Sequence, residues 1–128
     1  MFNHVMLGTS DIARSQRFYD AVLGVFGAGA PTRNENATGQ VRLFYRHDGS
    51  TFCLTQPIDG RPATVSNGFT LGFKCNSPEQ LKQFHDVAVA NGGTSIEEPP
   101  GPRHGGAVYL AYVRDPDGHK LCGLYRPK

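Results

Sequence analysis

The stretch that most constrains what this chain can fold into lies near residue 116. Residues 108–113 are rich in β-formers, Asp115-Pro116-Asp117-Gly118 has Pro at the second and Gly at the fourth turn position, and an alternating run resumes at Lys120. This spells a β-hairpin. A fainter copy occurs earlier, as Leu43-Phe44-Tyr45-Arg46-His47-Asp48-Gly49-Ser50-Thr51-Phe52-Cys53-Leu54. An offset of 69 lays Asp48-Gly49 on Asp117-Gly118 and also lays Cys53 on Cys122. Two copies of one hairpin in a chain of 128 residues imply two like halves packed as one domain.

The remaining elements support two halves. Residues 2–8 are β-compatible, and Thr9-Ser10-Asp11 offers an N-cap for a helix in which Ile12, Ser15, Phe18, Tyr19, Val22 and Leu23 share one face, with Gly24 placed to stop it. Residues 25–30 suit a short edge strand. Residues 31–39 are polar and turn-forming, which reads as a mobile loop, and strands at about 40–46 and 51–55 flank His47-Asp48-Gly49. The second half opens with Phe69, Leu71, Phe73 and Cys75 alternating with polar or small residues. Ser77-Pro78-Glu79-Gln80 is a helix start with Ser as cap, Pro at the first helical position and Gln closing a capping box. Leu81, Phe84 and Ala88 form the buried stripe, Gly92-Gly93 ends the helix, residues 94–97 give a short strand, and residues 99–106 read as a rigid, irregular loop. Each half is therefore βαβββ: residues 1–56 and 68–128, joined by an aperiodic linker at 57–67. An offset of 66 lays His4 on Thr70, Phe18 on Phe84 and Asp20 on Asp86. The rival, a ferredoxin-like βαββαβ domain, has no use for the extra strand-turn-strand in each half.

Composition narrows the partners. Thirteen basic and eleven acidic residues, a formal net charge of +2, are scattered without a Lys/Arg run, so no footprint for nucleic acid or an anionic membrane is present. Three cysteines (Cys53, Cys75, Cys122) without a CxxC pair fit a reducing, cytoplasmic setting better than a disulfide scaffold. No apolar run is long enough to cross a bilayer, and the N-terminal residues lack a basic, apolar leader pattern.

Several pieces together resemble the vicinal oxygen chelate superfamily of glyoxalase I, bleomycin- and fosfomycin-resistance proteins and extradiol dioxygenases. They are His4-Val5 opening the first strand, Asp11-Ile12-Ala13-Arg14-Ser15-Gln16-Arg17-Phe18-Tyr19-Asp20 on the first helix, Leu23-Gly24 closing it, and Arg114-Asp115-Pro116-Asp117-Gly118-His119-Lys120-Leu121. The resemblance covers essentially the whole chain. It implies an α+β fold of two βαβββ modules in tandem, each a curved mixed sheet around a cavity, commonly in a homodimer. It also implies metal-ligand positions on the first and last strands of each module, which fall here on His4, Cys53, Thr70 and Cys122. Only His4 keeps the family's usual donor type, so the metal site is degenerate, and position 122 lacks the glutamate that acts as base in the glyoxalase reaction. A Cys, Cys, His set suits zinc if any metal binds, and suits Mg or Mn poorly.

Strand alternation nominates the cavity lining. If the four ligand-equivalent positions face inward, so do Met6, Thr51, Gly72, Lys120 and Leu124, while Val5, Leu7, Phe52, Leu54, Phe69, Leu71, Phe73 and Leu121 face the helices. Arg42, Phe44 and Arg46 share one strand face; Arg42 or Arg46 suits an anionic ligand, and Phe44 or Tyr109 a planar one. Thr70 and His104, the latter in a Gly/Pro-rich loop, complete the candidate ligand-binding set; His47, His85 and His119 read as structural or solvated. The expected function is binding of a small organic molecule in a sheet-lined cavity, with no resident cofactor. The alternative is a zinc-dependent, glyoxalase-type lyase or isomerase using His4, Cys53 and Cys122.

Overall fold

The computed structural model describes residues 1–128. The first half contains β1 (Val5–Gly8), α1 (Ile12–Gly24), β2 (Thr32–Glu35), β3 (Val41–His47) and β4 (Ser50–Thr55). The second contains β5 (Leu71–Lys74), α2 (Pro78–Ala90), β6 (Thr94–Arg103), a 3-10 turn at His104–Gly106, β7 (Val108–Arg114) and β8 (Lys120–Tyr125). Each half makes its own four-stranded sheet, in the orders β1-β4-β3-β2 and β5-β8-β7-β6. In both, the first strand runs parallel to the last and the other pairs are antiparallel. The architecture is α+β, two βαβββ modules in tandem.

The duplication holds residue by residue. Met6 pairs with Cys53 as Gly72 pairs with Cys122, which realises the offsets of 66 and 69 together. Phe44 faces Cys53 across the ladder as Tyr112 faces Cys122, and Arg46 faces Thr51 as Arg114 faces Lys120.

Both helices begin as their caps require. Asp11 accepts the Arg14 N–H and Ser77 the Gln80 N–H, while Gln80 reaches back to accept from the Asn76 N–H. Their apolar faces meet the helix-facing sides of the sheets in a single core of sixteen buried residues. Aromatic rings bridge the modules: Phe26 stacks on Phe73 at 5.5 Å between ring centroids, and Phe52 lies 6.5 Å from Phe73. Full burial of each such side chain contributes about 1.5–3 kcal/mol.

Two strands depart from expectation. Residues 25–30 form no strand; Val25 caps α1, and the edge strand is Thr32-Arg33-Asn34-Glu35 inside the expected loop. All four of its residues are exposed, so backbone pairing to β3 makes the strand and no apolar alternation marks it. β6 likewise runs through Pro99-Pro100-Gly101-Pro102, expected to be a loop, with its register broken between Ile96 and Gly101. An edge strand with a bulge tolerates prolines because the missing N–H groups are not needed.

The hairpin turn between β7 and β8 is a fastener between modules. Asp115 is 4% exposed, accepts the backbone N–H groups of Asp117 and His119, and takes the Tyr19 hydroxyl at 2.6 Å. Asp117 accepts from the Ser10 N–H at 2.9 Å and pairs with Arg14 at 3.1 Å. His119 is also buried, with Nε2 2.7 Å from the Gly8 carbonyl oxygen; a carbonyl only accepts, so Nε2 carries the proton. No helix is long and apolar enough to cross a membrane.

Candidate functional site

The side of the first sheet away from the core is chemically distinct. Register places Arg42, Phe44 and Arg46 of β3 on the same face as Thr55, Cys53 and Thr51 of β4, with Met6 of β1 beside Cys53. The Arg46 guanidinium carbon sits 5.2 Å from the centre of the Phe44 ring, a cation–π contact that leaves edge N–H groups for an acceptor. Arg42 keeps its Nε buried without a hydrogen-bond partner. Cys53 is fully buried beneath them; burial pushes its thiol up, and the charges of Arg46 and Arg42 oppose that shift in part. No carboxylate occupies this face among the paired positions of β3 and β4.

The matching face of the second sheet carries Tyr112, Lys120 and Cys122. The Lys120 ammonium stands 4.6 Å from the centre of the Tyr112 ring and pairs with the Glu97 carboxylate. Burial pushes the Cys122 thiol up, against a hydrogen bond from Tyr112 and the charge of Lys120. Glu97 arrives here from the β6 bulge with a left-handed backbone, φ +59°.

A cleft of about 550 Å³ opens where the starts of β1, β4 and β5 approach one another, lined among others by His4, Thr51, Phe69 and Thr70. Of the four ligand-equivalent residues it gathers two, His4 and Thr70. His4 is exposed, with Nδ1 2.8 Å from the Asn3 side-chain oxygen. Thr51 lines the cleft and pairs across the ladder with Arg46, so the cleft runs onto the basic face.

Cys53 and Cys122 lie elsewhere, each under its own sheet's polar face, and nowhere do three or more His, Cys, Asp or Glu side chains converge as a donor set. Within one chain, therefore, His4, Cys53 and Cys122 are not brought together for a metal, and the two arginines over Cys53 repel a cation. Tyr109 shares its strand face with Ala111 and Val113 of the core and meets Tyr125 edge-on at 5.7 Å, so it lies across the sheet from the residues it was grouped with. His104 is exposed at the β6–β7 connection with φ +52°, and contributes to neither face. Glu97 was not nominated from sequence; the adjacent Pro99-Pro100-Gly101-Pro102 run was the available sign of a bulge that re-aims a side chain.

Comparisons with known proteins agree with this architecture. The family model for the glyoxalase/bleomycin resistance protein/dioxygenase superfamily matches residues 1–122. The crystal structure of a glyoxalase/bleomycin resistance protein from Albidiferax ferrireducens is 53% identical, covers 99% of each chain and superposes with a TM-score of 0.90. A lactoylglutathione lyase of Haemophilus influenzae is 27% identical over 92% of this chain and 87% of its own. A virulence protein of Salmonella typhimurium is 32% identical over 93% of this chain and 79% of its own. With the family model matching nearly the whole chain and both modules present in register, the protein belongs to the glyoxalase/bleomycin resistance protein/dioxygenase superfamily.

Proposed function

We propose that this protein binds a small organic anion against the Arg42, Phe44 and Arg46 face of the first sheet, reached through the cleft at His4 and Thr70. It does so without a resident metal, in the cytoplasm. The observation that carries this reading is Arg42, whose buried Nε has no protein acceptor; an anion supplies one and offsets the desolvation of the guanidinium. The aromatic ring of Phe44 beside it favours a ligand with a planar or apolar body. A homodimer suits the site, because β1 and β5 each pair on one side only and leave an edge free beside the cleft.

The second reading, a zinc-dependent glyoxalase-type lyase or isomerase using His4, Cys53 and Cys122, draws support from similarity to lactoylglutathione lyases such as that of Haemophilus influenzae. The donor arrangement within the chain counts against it. Thermal unfolding against benzoate and short mono- and dicarboxylates separates the two, alongside elemental analysis of protein purified under reducing conditions without chelator. A carboxylate at a hundred times its Kd stabilises by about 2.7 kcal/mol, and Arg42→Leu abolishes that gain. Stoichiometric zinc lost in both His4→Ala and Cys122→Ser overturns the proposal in favour of the lyase.

A further inference from the structure

On the opposite side of the second sheet from Cys122, three side chains stand in a line that the function above does not use. His85 on α2 places Nε2 2.8 Å from the Ser95 hydroxyl of β6, and its Nδ1 3.0 Å from the Asp86 carboxylate. A carboxylate oxygen only accepts, so Nδ1 carries the ring proton and Nε2 presents its lone pair to the Ser95 hydroxyl. Lys82 pairs with the other Asp86 oxygen, and the two contacts hold this carboxyl below its ordinary range, Lys82 more than His85. The His85 side chain is only 15% exposed, so the ring is held while one edge remains accessible.

His85 and Asp86 border a groove of about 400 Å³ between α2 and the sheet, and Ser95 reaches it only through its contact with His85. The lining includes His85 and Asp86 together with Leu81, Pro100, Gly101 and Tyr109. Tyr109 and His85, which had no part in the basic face, thus meet at one place. The β6–β7 register shifts between Ile96 and Gly101, just beyond Ser95, so β6 bulges where Pro100 and Gly101 line the groove.

We propose that Ser95, His85 and Asp86 form a nucleophile, base and positioning set that hydrolyses carboxylic esters of small acyl groups seated in this groove. The Ser95 oxygen bonds to the ester carbonyl carbon while its proton passes to His85 Nε2. Collapse breaks the carbon–alkoxy bond, and the leaving alcohol takes that proton from His85. Water then attacks the acyl-serine by the same route, giving up one proton to His85, which returns it to the Ser95 oxygen as the acid departs. Asp86 acts through His85, holding its tautomer.

The test is reaction of the full chain with a fluorophosphonate probe, followed by intact mass and peptide mapping, together with steady-state hydrolysis of p-nitrophenyl acetate. The proposal expects one label, at Ser95. It expects no label in Ser95→Ala, which alters only an exposed edge residue, and labelling about a hundredfold slower in His85→Gln. Asp86→Asn is expected to lower kcat with KM and melting temperature unchanged, which a merely structural contact does not do. Should His85→Gln fail to fold, the Ser95→Ala and Asp86→Asn results decide. Absence of label at Ser95, or an equal labelling rate in a folded His85→Gln, overturns the proposal.

Discussion

The two modules share a backbone plan and differ in how each helix meets its sheet. In the second, α2 packs directly across β6, β7 and β8; in the first, α1 touches its own sheet mainly at β4 and leans on α2. The cause is legible at one equivalent pair. Leu54 faces the core from β4, whereas Gly123 stands at the corresponding position of β8, where a Cβ would come within 2.8 Å of Phe84 and 2.9 Å of Leu81. A missing side chain lets α2 settle closer, and a present one keeps α1 away. The outer faces diverge as well: Arg42, Phe44 and Arg46 in one module correspond to Leu110, Tyr112 and Arg114 in the other. Duplication thus preserved the paired backbone and an apolar interior while the opposite faces took on different chemistry.

That contrast is broken most severely by Gly123→Leu, which gives the second module the first module's residue. Overpacking against Phe84 and Leu81 is expected to cost at least about 3 kcal/mol in urea unfolding. Near-neutrality would show that helix distance is set elsewhere.

A smaller effect distinguishes the modules by pH. Burial pushes the Cys75 thiol of the second module up from 9.0 to about 11, with the Leu124 contact opposing it. Its folded-state pKa lies above the unfolded one, so its contribution is intact below pH 9.0 and is lost as pH rises through about 11. A rise from 9.0 to about 11 corresponds to about 2–3 kcal/mol. Urea unfolding of Cys75→Ala at pH 8 and near 11 is expected to show that much less loss than the parent. An equal loss in both would assign the alkaline instability to buried phenols such as Tyr19 and Tyr45, whose pKa values are also raised by burial.

Smallest is Tyr19→Phe, which removes the one hydroxyl that the first module gives to Asp115. A hydrogen bond to a charged group is worth about 1.5–3 kcal/mol, and Asp115 retains two backbone donors, so a loss near the lower figure is expected. A change within a few tenths would mean that the Tyr19 hydroxyl adds nothing beyond the contacts that Asp117 and His119 make with the first module.

Much of the fold could be read because its signals are local. Caps at Asp11 and Ser77, helical stripes ending at Leu23 and Ala88, and two turn motifs each depend on residues within one element. β2 escaped because four exposed polar residues have no apolar face to announce a strand, and β6 because prolines mimic a loop when they lie on a bulged edge. The basic face followed from alternation along β3. The same alternation along β7 sets Tyr109 with Ala111 and Val113 rather than with Leu110, the partner position of Arg42. Glu97 could not be placed this way, since its direction depends on a left-handed backbone that a two-residue period does not contain.

The fastener at Asp115 also orders events in time. Tyr19 meets Asp115 across 96 residues, and Gly8 meets His119 across 111, so β1 and α1 depend on bonds from residues far later in the chain. Contacts of such long sequence separation slow folding, because loop closure precedes their reward. Until the second module is synthesised, the first therefore has Tyr19 without its Asp115 acceptor and Phe26 without Phe73 against it.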